Sequence, residues 1–392
     1  MDHRVDFDFT APIDIATWIR QGKTFPSGPE VPAGLLEYCQ RRLDIPHAHR
    51  SQLLPDRDLP VDQFLKLHLP ALSNALVNFK PERWFSCEPP NEDFTFLIRH
   101  TIPPKPQLAK LKDAFGQAIL DGAQSISDPQ YHTSRLPLFS IQFWSEMSDI
   151  HDIQKQWQDS SLWIRNLAEN VTDPGLDEAT HQLRSLPWNG VIRGSKPSGD
   201  ISTSTLTRLL GVRWIDGDLI DAMIQHLQSR LEADTSLRTR IMITNSALMQ
   251  EIAKAKSPAD FDTPRKWLVR LEESIQCRDR GPILYFPAHV SEQQHWICFR
   301  INFDTQTLSY GMKSVPVIMP DANGVVPADS LAHDLPKPTK IFRQLQWWLA
   351  KRFGTSFPED DAMMISAMQD DFFSCGIIAI NTIAHHVFGD EH

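Results

Sequence analysis

The sequence predicts an α+β protein of two domains, in which a mainly helical N-terminal region precedes a domain that mixes strands and helices. Three observations predict it. Apolar residues recur at helical spacing in the first half, a stretch rich in proline and glycine follows at 187–199, and alternating apolar segments come after it. A chain of 392 residues that is 41% hydrophobic is long enough for two or three domains and for a sizeable core.

The N-terminal region, residues 1–190, begins with a segment rich in turn formers, which predicts loops with short helices. From Pro106 onward, and again over 145–170, apolar residues recur at the 3.6-residue spacing of an amphipathic helix. Two short apolar segments, Phe94–Arg99 and Leu138–Phe143, are expected to be strands. The sequence assigns this region no role of its own.

The second domain is expected over residues 198–392. A helix should start near Asp216 or Asp218, and another should carry Pro264 in its first turn. Ile283–Pro287 reads as a buried strand, and the segment from His295 alternates as a half-buried strand does. The next segment, from Thr307, predicts the hairpin partner of that strand, and two more helices follow, the last beginning at Cys375.

Composition narrows the classes of function. The net charge is −10 and no run of Lys or Arg reaches five, which argues against a nucleic-acid surface. Five cysteines without a CxxC pair argue against a disulfide framework and a structural zinc site. No apolar run reaches the ~18–20 residues of a membrane span, and no signal peptide is visible. We therefore expect an intracellular protein of a reducing compartment, nuclear or cytoplasmic, without a membrane partner.

Three residues in the second domain could share one reaction. Cys375 opens an apolar helix, whose dipole and free N–H groups favour the thiolate. His295 opens the alternating strand and could act as base, and the amide of Gln369 could stabilise an oxyanion. Taken singly, they could equally be a core cysteine, a surface histidine and a solvated glutamine. Together they predict a cysteine nucleophile with its base.

The order of these residues resembles the ubiquitin-like-protein-specific cysteine proteases, the SUMO and sentrin proteases of the adenain-like group. The resemblance covers about residues 198–392 and rests on the following residues: Trp214-Ile215-Asp216-Gly217-Asp218, His295-Trp296, Gln369 and Cys375-Gly376. It implies a papain-like-clan domain with a central mixed sheet flanked by helices. It also implies that Cys375 is the nucleophile, His295 the base and acid, and Gln369 the oxyanion donor, without a metal or other cofactor.

The resemblance further implies a substrate. Trp214 and Trp296 would form the walls of a narrow tunnel that grips an extended Gly-Gly tail, with Asp216 and Asp218 on the substrate side. Flat indoles can contact a backbone that carries no side chains over a large area. The implied partner is a SUMO-like ubiquitin-like protein or its conjugates, and the implied reaction is cleavage after the tail.

One position departs from the family. Met312 stands where the third residue of the catalytic triad, an aspartate, is expected. Three readings follow: a Cys–His dyad protease, a pseudoprotease that binds a ubiquitin-like tail without cutting it, and an acyl transferase with an acceptor other than water. In a non-enzymatic reading, the helical region 1–190 acts as an adaptor and the second domain is its scaffold.

Overall fold

The computed structural model describes residues 15–26, 31–74, 79–129, 133–192, 201–278, 280–290, 295–311, 313–314, 338–360, 364, 368–369 and 373–390. At positions 174, 313, 314, 368 and 369 the description is of the backbone alone. The chain divides into two compact units, Met1–Gly190 and Val191–His392. Both contain helices and strands, so the chain mixes the two as an α+β protein does.

The first unit is built mainly from helices. They are α1 (Ile15–Trp18), α2 (Ala33–Leu43), α3 (His47–Leu53), α4 (Val61–Phe64), α5 (Lys105–Leu120), α6 (Ser140–Asn170) and α7 (Pro174–Ser185). Three short antiparallel strands lie beside them: β1 (Phe85–Ser86), β2 (Ser125–Ile126) and β3 (Leu136–Pro137). In α5 the apolar residues predicted to share a face are buried, which confirms that helix.

Both strands expected in this unit are wrong. Phe94–Arg99 is a 3₁₀ helix, because the Asp93 side chain accepts the Thr95 N–H and starts a turn. Leu138–Phe143 runs into α6, which begins at Ser140, and only Leu136–Pro137 pairs as a strand. The Ser140 hydroxyl donates to the Pro137 carbonyl at 2.6 Å and holds the chain in the turn that leads into the helix.

The second unit is built on a four-stranded sheet. Its helices are α8 (Gly217–Ala233), α9 (Ala247–Ile252), α10 (Lys266–Gln276), α11 (Thr339–Phe353) and α12 (Cys375–Phe388). Its strands are β4 (Val191–Ile192), β5 (Ile201–Ser202), β6 (Ile241–Ile243), β7 (Ile283–Val290), β8 (His295–Asn302), β9 (Thr307–Gly311), β10 (Lys313–Ser314) and β11 (Met368–Gln369). The sheet has the order β6-β7-β8-β9, with β6 parallel to β7 and the other pairs antiparallel.

Helices cover both faces of this sheet. On one face Phe286, Phe299 and their neighbours belong to a core that includes buried residues of α9, α10 and α11. On the other face Tyr285, Cys298 and their neighbours pack with α8 and α12. β8 was predicted to be half-buried, but its side chains are buried on both faces because each face has its own helical layer.

Of the two predicted helix starts, one agrees with the structure and the other is shifted by two residues. The Asp216 carboxylate accepts the Leu219 N–H at 3.0 Å and caps α8, which begins at Gly217. α10 begins at Lys266, two positions after Pro264, so this proline precedes the first turn and does not occupy it. Among the described residues, no helix has both the length and the hydropathy that a bilayer crossing requires.

A buried carboxylate joins α10 to α11. Glu272 accepts the Trp348 indole N–H at 2.9 Å and the Arg352 Nε–H at 2.8 Å. We expect Glu272→Ala to lower the free energy of unfolding by about 3 kcal/mol, because it leaves a buried donor and a cation without their partner. Urea denaturation measures this, with the exposed neighbour change Glu273→Ala expected within ~0.5 kcal/mol of the parent. Equal losses for the two variants would contradict the assignment.

Candidate active site

Cys375 is the first residue of α12, where the sequence placed it. Ser374 occupies the N-cap position, although its side chain makes no capping hydrogen bond. The thiol therefore lies at the end of the helix where backbone N–H groups and the dipole favour a negative charge. Cys375 is only 1% exposed and belongs to the core shared by α8, α12 and the sheet.

His295 is the first residue of β8 and pairs with Val290 on β7. It is 5% exposed. The pKa of His295 is lowered to about 4, first because burial disfavours the imidazolium and second because the charge of His289 opposes it. At neutral pH the ring is uncharged, so it can accept a proton from a thiol but does not hold a preformed imidazolium.

One contact brings the two segments together. A Cβ built on Gly376 would lie 3.5 Å from Cδ1 of Trp296 and 2.9 Å from Cδ1 of Ile220. Gly376 follows Cys375 and Trp296 follows His295, so the proposed nucleophile and base each adjoin one member of this contact. Glycine at 376 lets the start of α12 pack closely against Ile220 of α8, and the indole lies at ordinary van der Waals distance from the built Cβ.

The two tryptophans of the predicted tunnel differ in exposure. Trp296 is 6% exposed, and its indole N–H donates to the Ile215 carbonyl at 3.3 Å. Trp214, the residue before Ile215, is 49% exposed. The hydrogen bond thus holds the segment that carries Trp214 against the strand that carries His295. The predicted role of the two indoles as tunnel walls stays a prediction.

The two acidic residues after Trp214 are placed differently. Asp216 caps α8 and forms an ion pair with Arg208 at 2.8 Å. Asp218 is exposed in the first turn of α8. Asp216 therefore has a structural role as well as a position near Trp296, whereas Asp218 faces solvent.

Gln369 and Met312 complete the predicted set. The backbone of Gln369 lies on β11, which pairs in parallel with β10 in the register Ser314 to Gln369. Its side chain is outside the described part of the structure, as is the whole of Met312. The role of Gln369 as oxyanion donor and the replacement of the triad aspartate by Met312 therefore stay predictions from the sequence.

A groove of about 380 Å³ opens beside Trp296. Its lining includes the following residues: Asp216, Ser246, Gln250, His289, Trp296 and Ile341. His289 pairs with Trp296 across β7 and β8, and the two ring centroids are 5.1 Å apart. No sequence motif marks His289 as a functional residue, and the signal that could have found it is the strand register that places it opposite Trp296.

In the described ranges, no three or more His, Cys, Asp or Glu side chains are grouped so that they could hold a metal ion. His385 lies near the end of α12, where its Nδ1 is 2.7 Å from the Asp390 carbonyl oxygen.

Comparisons with known proteins give distant likenesses. No family model matches the chain, and no curated protein matches it. Among solved structures, the chain is similar to the C-terminal protease domain of Ulp1 in complex with Smt3, the yeast orthologue of SUMO. That likeness has a TM-score of 0.33 and 13% identity, over 57% of this chain and 81% of that one. It is also similar to the SUMO protease Ulp1 with its catalytic cysteine oxidised to a sulfonic acid, with a TM-score of 0.32 and 16% identity over 50% and 76% of the two chains.

Proposed function

We propose that this protein is a cysteine peptidase of the papain-like, adenain-like type that cleaves after the Gly-Gly-type tail of a SUMO-like protein. The observation that carries the proposal is the packing of Gly376 beside Trp296, where a Cβ built on the glycine would lie 3.5 Å from the indole, because it places the start of the Cys375 helix at the start of the His295 strand. A thiol at a helix start and an imidazole at a strand end, held by one packing contact, suit nucleophilic catalysis.

The reaction uses this chain's own groups. Neutral His295 accepts the thiol proton of Cys375 as the sulfur attacks the carbonyl carbon of the terminal glycine. The developing oxyanion is held by the Cys375 N–H and by the amide of Gln369. His295 then gives its proton to the leaving amine, which breaks the C–N bond and leaves a thioester. Water, deprotonated by His295, hydrolyses the thioester and restores the thiol.

A second reading, a pseudoprotease that binds the tail without cleaving it, has its own support. Both reactive side chains are buried, and the low pKa of His295 disfavours the charged thiolate–imidazolium pair that cysteine proteases use. Met312 at the expected triad position points the same way, because no carboxylate is supplied from there to stabilise a protonated ring.

A suicide probe separates the two readings. Full-length protein is incubated with SUMO that carries a C-terminal propargylamide or vinyl sulfone, and adducts are detected by mass. The peptidase is expected to form a covalent adduct that maps to Cys375, and Cys375→Ala is expected to lose at least ~10³-fold in adduct rate. The matched control is Cys277→Ala, which removes an exposed thiol of the same unit and should leave the rate unchanged.

Two outcomes decide against catalysis. Tight binding of the unmodified tail without any adduct would establish the pseudoprotease. Neither binding nor adduct, with SUMO or with other ubiquitin-like probes, would overturn the assignment to a ubiquitin-like protease altogether.

A further inference from the structure

The helix that carries Cys375 is attached to α8 near both of its ends. Near its start, a Cβ built on Gly376 would lie 2.9 Å from Cδ1 of Ile220, which is in the first turn of α8. Just beyond its end, Asp390 accepts two hydrogen bonds from Arg230 of α8, from Nη1 at 2.7 Å and from Nη2 at 3.0 Å. The helices α8 and α12 therefore run side by side in the same direction, over about 15 Å from Ile220 to Arg230.

Several contacts build the attachment beyond the end of α12. Gly389 is left-handed, with φ 74°, which ends the helix and lets the next residue reach α8. Cζ of Arg230 lies 4.1 Å from the centroid of the Phe388 ring, and the Asp390 carbonyl oxygen is 2.7 Å from Nδ1 of His385. The hydrogen bonds from Arg230 hold the pKa of Asp390 below its ordinary value, so this carboxylate is charged at neutral pH.

Stability alone does not account for the pair of Arg230 and Asp390. Their side chains are 38% and 36% exposed, and an ion pair that is so exposed contributes little to the free energy of unfolding. A bidentate pair of guanidinium and carboxylate does, however, fix the relative orientation of the two groups. The apolar contacts along the rest of the interface oppose separation of the helices but have no direction, so they oppose sliding and rotation less.

A slide or a rotation of α12 would move the thiol. Cys375 is the first residue of this helix, about 20 Å along the axis from Phe388, and a helix of 14 residues moves largely as one body. On the other side of the interface, α8 begins at Gly217, three positions after Trp214. The position of α12 along α8 therefore sets the distance between the sulfur and the segment that is proposed to hold the tail.

We propose that Arg230 and Asp390 are positioning residues for Cys375, which fix the register of α12 along α8 and so align the thiol with the tail. The inference rests on the proposed peptidase function and adds to it two residues that lie away from the reacting atoms. Because it concerns the alignment of the thiol, it predicts a loss in the rate of the chemical step and not in the affinity for the tail.

The test measures, on full-length protein, the maximal adduct rate with SUMO propargylamide and the probe concentration that gives half of it. Asp390→Asn keeps the size of the side chain and removes its charge, and Arg230→Lys keeps the charge and removes the fork. We expect each variant to lower the maximal rate about 10-fold and to leave the half-saturating concentration within ~2-fold of the parent. A parent rate in both variants would overturn the inference.

Exchanging the two charges tests the pair itself. The double variant Arg230→Asp with Asp390→Arg should react at least ~3-fold faster than either of its single changes, because it restores an ion pair between the helices. The matched control is Asp262→Asn, which breaks the similarly exposed ion pair with Lys351 elsewhere in the unit. It should shift the melting temperature as much as Asp390→Asn does and leave the adduct rate unchanged. Equal rate losses in these two variants, or no gain on exchange, would contradict a positioning role.

Nuclear magnetic resonance keeps the inference separate from catalysis, because it needs no probe. The amide of Gly376 lies beside the Trp296 indole, so its resonance depends on how α12 is placed. We expect the resonances of this amide and of the indole N–H to shift in Asp390→Asn and to stay in place in Asp262→Asn. If the parent forms no adduct with any probe, the peptidase proposal fails, and these resonances alone decide the role of the pair. Unshifted resonances in Asp390→Asn would overturn it.

Discussion

Replacing His295 with glutamine is expected to lower kcat for tail cleavage by ~10²–10⁴-fold while leaving the affinity for the tail within a few-fold. The reason is that the proposed proton transfers, from Cys375 and to the leaving amine, all pass through this ring. Single-turnover kinetics with SUMO aminomethylcoumarin measure the loss, and calorimetry measures the affinity. A variant that retains more than a tenth of the parent rate would remove His295 from the mechanism.

The pH dependence of kcat/KM is a second test of the role of His295. Because the pKa of His295 is about 4 in the folded chain, kcat/KM should stay flat from pH 8 to about 5.5 and fall below that. His289→Gln removes the opposing charge, so it should move the midpoint upward. An acidic limb centred near ~6.5, the ordinary pKa of histidine, would show that the ring is not held neutral as proposed.

The same ring links stability to pH. Its pKa is lower in the folded chain than the ~6.5 of an unfolded one, so the unfolded state binds more protons between those values. The contribution of the neutral His295 ring to the free energy of unfolding is complete above pH ~6.5 and is lost as the pH falls towards 4. Between pH 7 and 5, the free energy of unfolding of His295→Gln should therefore fall by about 1–2 kcal/mol less than that of the parent, as measured by urea denaturation.

Gly376→Val is expected to have the second large effect. The Cβ of the valine would lie 2.9 Å from Cδ1 of Ile220 on α8 and 3.5 Å from Cδ1 of Trp296, and its two methyl groups add further bulk, so the start of α12 and the Ile220 side chain must move apart. We expect a loss of about 1–3 kcal/mol in stability and of at least ~100-fold in the adduct rate of Cys375, because a shift of ~1 Å disrupts catalysis. Thermal unfolding and the propargylamide probe measure the two.

A compensating change tests the cause. Ile220→Ala in the Gly376→Val background should restore part of the adduct rate, since it removes the nearest contact. Gly34→Ala, at a helical glycine with nothing within 4 Å of the added carbon, should leave both measurements unchanged. Full activity of Gly376→Val would contradict the close packing of Gly376 against Ile220.

The sequence was a good guide where one local force decides the structure. The cap at Asp216 and the apolar run after Cys375 placed two helices correctly, because capping and burial act over a few residues. The parallel pairing of β6 with β7 was not foreseen, since it joins segments separated by α9 and α10. Phe94–Arg99 was misread because a six-residue apolar segment suits a strand and a turn of helix alike.

In the candidate site too, the features set by local sequence were predicted and those set by tertiary packing were not. Cys375 and His295 stood out because each begins a regular element, and their types suggest a reaction. The closeness of Gly376 to Trp296 and the burial of both reactive residues depend on tertiary packing, which spacing does not encode. His289 was missed because its place opposite Trp296 follows from the register of β7 on β8.

Helix α12 has a consequence for biosynthesis. It covers one face of the sheet, yet it follows His295 by about 80 positions, so its docking closes a long loop. During translation the part of the apolar face of Tyr285 and Cys298 that α12 covers stays exposed, with α8 alone packed on this face, until this last described helix leaves the ribosome. A nascent chain would therefore carry His295 before Cys375 is made, and the proposed pair could form only after α12 has docked.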